Sequence, residues 1–130
     1  MTPRPLTHIL CADDDADLRM ILEVALGTLG GWRVTLAADG EEALGAAREQ
    51  RPDLVLLDAS MAGIDGPAAL ALLRADPALS AIPVVFVTGH ASESQRAEWM
   101  RLGAADVIAK PFDPTALPGR IREIWARVAG

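Results

Sequence analysis

The chain has no tyrosine, a single cysteine, fewer basic than acidic residues and no long apolar run, and each scarcity removes a class of protein. Cys11 alone cannot form an internal disulfide, and within the run Ile9-Leu10-Cys11-Ala12 it reads as a small buried thiol. Lys and Arg number 12 against 18 Asp and Glu, so the net charge is -6 and the pI near 4.8. That balance lacks the basic footprint needed to grip a nucleic-acid backbone. No stretch approaches the ~18 uncharged apolar residues that cross a bilayer. Met1 to Thr7 has neither the apolar centre nor the small-residue cleavage site of a secretory signal. These readings predict a cytoplasmic protein with no membrane and no nucleic-acid partner. Neither repeats nor low-complexity runs occur, and Thr2 to Pro5 is the only candidate linker. The prediction is a tail over residues 1–6 on one domain, 1–130, a usual length for a single core.

What is present is a regular alternation. Five short apolar runs, Ile9 to Ala12, Trp32 to Leu36, Leu54 to Leu57, Val84 to Val87 and Val107 to Ala109, are separated by stretches with helical spacing. Such an order predicts an α/β fold of consecutive βα units with a five-stranded parallel sheet. Four of the runs are nearly unbroken, as strands covered on both faces should be. Arg33 and Thr35 interrupt the second, which places it at a sheet edge. Leu18, Ile21, Leu22, Ala25, Leu26 and Leu29 fall on one stripe of a first helix. Gly40 to Gln50, Pro67 to Ala75 and Ser92 to Leu102 supply three more, the middle one entered through the turn Asp65-Gly66-Pro67. Leu117, Ile121, Ile124, Trp125 and Val128 mark a fifth, whose start is blurred by Pro118 and Gly119.

The charged residues then acquire positions. Right-handed crossovers align the C-terminal ends of all strands along one edge, where ligands collect at the reversal of strand order. Asp13 and Asp14 follow the first run, Asp58 ends the third, Thr88 follows the fourth and Lys110 the fifth. In the flavodoxin-like order 2-1-3-4-5, strands one and three are neighbours, so three carboxylates converge. Clustered carboxylates repel, and a divalent cation relieves them; oxygen-only ligands few in number select Mg2+. An ionised Asp58 can then attack phosphorus, with Lys110 and Thr88 placed to meet the phosphoryl oxygens.

These residues resemble the receiver domains of two-component response regulators, the chemotaxis-regulator-like family, over nearly the whole chain. Ile9 to Asp15 is similar to the family's first strand and acidic pair, and Pro52 to Asp58 followed by Gly63-Ile64-Asp65-Gly66 to its phosphoacceptor segment. Ile82 to Thr88 and Gly103-Ala104-Ala105-Asp106 leading to Lys110-Pro111-Phe112 complete the likeness. The resemblance implies that Asp58 is the phosphorylation site and that Asp14 and Asp58 ligate Mg2+ directly. It makes Asp13 an acidic partner acting through metal-bound water and gives Ser60 a ligating backbone carbonyl. Thr88 would bind a phosphoryl oxygen, Lys110 would pair with the phosphorylated carboxylate, and the Lys110–Pro111 peptide would be cis. A sensor histidine kinase or histidine phosphotransfer protein would supply the phosphoryl group. A downstream protein would meet the face of helix 4, strand 5 and helix 5. Two positions depart from the pattern: Ala62 stands where proline is usual, and Val107 where many relatives carry an aromatic that swings inward. Output through the Thr88 loop, where Gly89 adds backbone freedom, and through the helix after it is the alternative.

Each residue also has a plainer role. Asp pairs before helices cap them, as Asp15 and Asp17 are expected to do, and Thr-Gly and Lys-Pro are ordinary in turns. His8 carries no expected chemistry. His90, two residues past Thr88, is either solvated or an influence on water reaching Asp58. Trp99 and Trp125 belong either to the core or to a partner face, core being favoured. Competing readings are an excised piece of a larger regulator or hybrid kinase, an aspartate-nucleophile phosphatase and a flavin module. The short chain favours a stand-alone switch that is no enzyme beyond its own phosphorylation and dephosphorylation. Asp58 has no second acid close behind it, and the missing tyrosine and phosphate loop oppose flavin.

Overall fold

The computed structural model describes residues 4–129, so the first half of the expected 1–6 tail lies outside the described residues. Strands β1 (His8–Ala12), β2 (Arg33–Ala37), β3 (Leu54–Asp58), β4 (Val84–Thr88) and β5 (Asp106–Ala109) form one parallel sheet in the order β2-β1-β3-β4-β5. Helices α1 (Ala16–Leu22), α2 (Gly40–Gln50), α3 (Gly66–Ala75), α4 (Glu93–Arg101) and α5 (Leu117–Ala129) follow the strands in turn. This is the doubly wound, flavodoxin-like (βα)5 arrangement, with the charge-interrupted β2 at an edge.

Side chains alternate along each strand and divide the interior in two. Leu10, Val55, Leu57, Phe86 and Val107 face α2, α3 and α4, packing on Ala43, Leu44, Leu70, Leu73 and Trp99. Ile9, Cys11, Leu54, Leu56, Val85 and Ile108 face α1 and α5, packing on Leu22, Leu26, Ile121, Ile124 and Trp125. Cys11 is wholly buried, which pushes its thiol up to about 12 with help from the Asp13 charge. Trp99 and Trp125 are both core, and the Trp125 indole donates to the Arg4 carbonyl at 2.7 Å. His8 opens β1 instead of preceding it and bonds Thr35 Oγ1 at 2.8 Å through Nε2.

The first helix departs from the expected single stripe. After Leu22 the chain continues as a π-helical segment, Glu23–Leu29, marked by a Gly30 N–H to Ala25 carbonyl bond of 3.0 Å. The wider turn keeps Leu22, Ala25 and Leu26 buried but rotates Leu29 outward to 52% exposure, and Ile21 is 40% exposed. Helix α5 starts at Leu117 with Pro118 inside its first turn, where a missing N–H costs nothing. Helix α3 starts one residue early, at Gly66, with the Asp65 carboxylate accepting from the Ala68 N–H at 2.9 Å. Gly66 is needed there for space: a Cβ would lie 2.7 Å from the Asp58 carbonyl oxygen and 2.8 Å from Ala59 Cα. The helix can therefore close directly onto the end of β3.

Asp53 fastens the entry of β1 to that of β3. One carboxylate oxygen accepts from the Thr7 hydroxyl at 2.8 Å and from the Thr7 and His8 amides at 3.0 Å each, with Arg4 at 3.4 Å from the other. Burial pushes this carboxyl up, but the three hydrogen bonds and the Arg4 charge outweigh it and hold it below the usual carboxylate value. A lowered value contributes stability above the ordinary 3.8, lost as pH falls through the folded-state value. Asp53→Ala should cost about 1 kcal/mol in urea unfolding at neutral pH, chiefly from the part-buried His8 amide left without its acceptor. The cost should shrink in acid; a loss independent of pH would contradict this assignment.

Candidate functional site

Strand register builds the site. Ala12 pairs with Leu57, so the next residues, Asp13 and Asp58, stand side by side. Asp58 is opposite Val87 and Thr88 opposite Ala109, which brings Lys110 round the same edge. Carboxylate oxygens of Asp13, Asp14 and Asp58 lie within 4.8 Å of one another. The Lys110 ammonium lies 2.9 Å from Asp13 Oδ2 and 3.4 Å from Asp58 Oδ2. The Lys110–Pro111 peptide is cis.

Asp13 and Asp58 are buried and Asp14 is exposed, so the cluster is open on the Asp14 side. Asp13 Oδ1 accepts from the Asp15 amide at 2.9 Å, and the Arg19 guanidinium holds the Asp13 carbonyl at 2.7 Å. Asp15 is the true N-cap of α1, accepting from the Asp17 and Leu18 amides, which leaves Asp13 and Asp14 free of that duty. Ser60 reaches Asp58 through its amide, which donates to Oδ1 at 3.1 Å. Thr88 is buried, and its hydroxyl donates to the His90 carbonyl at 3.0 Å. An open cavity of about 700 Å3 lies above, walled by Asp58, Ser60, Thr88, His90, Gln95 and Trp99 among others.

Lys110, expected to pair with the phosphorylated carboxylate, here lies within ion-pair distance of both Asp58, at 3.4 Å, and Asp13, at 2.9 Å. Gln95 and Trp99 were missed as cavity residues; their i, i+4 spacing puts them on one face of the helix after Thr88 but does not say that this face meets the cavity.

Two cluster groups carry displaced pKa values. Burial, the largest influence, pushes the Asp58 carboxyl above the usual range; the Ser60 amide and Lys110 oppose it, and the Asp13 charge adds to it. Burial pulls the Lys110 ammonium down, but the hydrogen bond and charge of Asp13, with Asp58 behind, outweigh it and hold the value above normal. Three carboxylates against one ammonium leave an excess of negative charge at one point. All donors are hard oxygens, with neither His nor Cys among them, which fits a divalent cation of the Mg2+ class.

A raised carboxyl favours the fold only while protonated: the contribution is present below the ordinary 3.8 and lost as pH rises through the elevated value. Above that elevated value the ionised Asp58 therefore weakens the metal-free fold. In chelator, Asp58→Asn should melt at a higher temperature than wild type, and the gap should close as pH falls towards 3.8. A variant that melts lower at neutral pH would contradict the charge assignment.

Residues 9–122 match the family model described as the response regulator receiver domain. A probable transcriptional regulator, ycf27, of Porphyridium aerugineum is 42% identical over 120 residues, covering 92% of this chain and 48% of that protein. The DNA-binding response regulator MtrA of Mycolicibacterium paratuberculosis is 40% identical over 115 residues, 88% of this chain and 49% of its own length. The chain thus spans about half the length of these relatives. Among solved structures, the Vibrio cholerae chemotaxis protein CheY4 superposes with a TM-score of 0.86 at 27% identity, covering 92% of this chain and 99% of its own. A putative response regulator from Chloroflexus aurantiacus gives 0.85 at 33% identity, covering 95% and 100%. With this fold, an acidic cluster at its strand ends and a match over most of its length, the chain belongs to the response regulator receiver domain family of two-component signalling.

Proposed function

We propose that this domain is a reversible phosphorylation switch in which Asp58 accepts a phosphoryl group from a sensor histidine kinase or a histidine phosphotransfer protein. The observation that carries the reading is the buried Asp58 carboxylate held beside Asp13 and within 3.4 Å of the Lys110 ammonium, at the foot of an open cavity. Asp13, Asp14 and Asp58 would hold Mg2+, with the Ser60 carbonyl as a further ligand. The bound cation supplies charge neutralisation on the phosphoryl oxygens.

An Asp58 oxygen forms the new O–P bond as the P–N bond to the donor imidazole breaks and that nitrogen leaves with the electron pair. No general base is required, because the attacking group is the ionised carboxylate itself. Lys110 stands ready to neutralise one phosphoryl oxygen and Thr88 to donate its hydroxyl to another. Water attack on the acyl phosphate resets the switch, so the only turnover is the domain's own. Asp58-Ala59-Ser60-Met61 offers no second acid to serve a phosphatase acting on outside substrates.

Output would run through protein contacts of α4, β5 and α5. There Arg96, Arg120 and Arg127 share the single carboxylate of Asp106, leaving positive charge on an otherwise acidic domain. The reading holds equally for a stand-alone regulator and within a longer DNA-binding regulator of the kind MtrA's name describes.

Incubation with Mg2+ and acetyl phosphate should add one phosphoryl mass to the intact wild-type chain and none to Asp58→Asn. Lys110→Ala should slow the addition on the order of 100-fold. A full adduct on Asp58→Asn would overturn the proposal.

A further inference from the structure

Helix α4 is attached more lightly than α2, α3 and α5. Helix α2 buries Ala43, Leu44 and Ala47 as well as Gly40, and α3 buries Ala69, Leu70 and Leu73. In α4 only Trp99 is buried. Its other ties are polar and lie near the surface: Arg96 to Asp106 at 3.3 Å and to the Val107 carbonyl at 3.2 Å, and the capping box of Ser92 and Gln95. One indole is thus the helix's whole apolar anchor.

That indole sits between the phosphoacceptor cavity and the core. It is 8% exposed and meets Phe86 edge-on, with ring centres 5.1 Å apart and planes at 67°. Phe86 lies on β4 two residues before Thr88, with no exposed surface. On its outer side Trp99 walls the same cavity as Asp58 and Thr88.

Thr88 links the two. Its hydroxyl donates to the His90 carbonyl at 3.0 Å and accepts from the His90 amide at 3.3 Å, closing the turn that leads to the Ser92 cap. A hydroxyl has one proton and cannot serve that carbonyl and a phosphoryl oxygen on Asp58 together. Binding the second releases the first, and the turn entering α4 loses its fastening. Val107, in the same core layer, is aliphatic and 2% exposed, and carries no ring to move.

We propose, resting on the phosphorylation reading above, that Trp99 is the side chain through which the state of Asp58 sets the position of α4. Trp99 touches no reacting atom and acts as a positioning residue. Phosphorylation redirects Thr88, the turn loosens, and the indole shifts against Phe86, carrying α4 with it.

The test uses a Trp32→Phe, Trp125→Phe chain, in which Trp99 is the only emitter, treated with Mg2+ and acetyl phosphate while intact mass is followed. The expected result is an emission shift at Trp99 that tracks adduct formation, with faster or slower amide exchange confined to 89–101. Trp99→Leu, compared with wild type at equal adduct level by intact mass, should lose that exchange response; if it does not fold, the single-emitter chain decides alone. An adduct that leaves both Trp99 emission and α4 exchange unaltered overturns the inference and spares the phosphorylation reading. Absence of any adduct overturns both.

Discussion

Two buried carboxylates share one ammonium, and the rest of the molecule is arranged to keep them there. Lys110 lies 2.9 Å from Asp13 and 3.4 Å from Asp58, although 97 residues separate it from Asp13 in the chain. Holding like charges together is costly where water is scarce, so the scaffold must be rigid. Rigidity comes from a sheet packed on both faces, whose register sets Asp13 next to Asp58, and from Gly66, which lets α3 close onto the end of β3. One cation partly satisfies the cluster, and the residual negative charge suits it to a divalent ion.

The same imbalance suits the site to reversible chemistry. Asp58 is held away from its most comfortable ionisation by burial, and in the proposed function its ionised form is the nucleophile. The output side, in contrast, is built lightly. Thr88 spends its only proton on the His90 carbonyl, and α4 rests on one buried indole, so a small rearrangement at the cavity has a weakly anchored element to act on.

Much of this was legible in the sequence because parallel strands covered on both faces leave unbroken apolar runs, and Arg33 and Thr35 betray the edge. Asp13, Asp14, Asp58, Thr88 and Lys110 were legible as a group because strand ends are marked by the switch from apolar to polar residues. The π-helical turn was not, since a reading at 3.6 residues per turn presumes the α period and so places Leu29 inward. Lys110's nearer partner was hidden as well, because register fixes which strand ends adjoin but not which of two carboxylates an ammonium prefers. The double position of Trp99, core on one side and cavity wall on the other, depends on how α4 lies over β4 and has no signature in spacing alone.

Calorimetric titration of Mg2+ into the unphosphorylated domain tests the central claim most directly. Saturable binding of one ion per chain is predicted, weakened about 10-fold or more in Asp14→Asn and in Asp58→Asn. No binding to wild type, or equal binding to all three chains, would contradict an account that rests on carboxylates gathered for a cation.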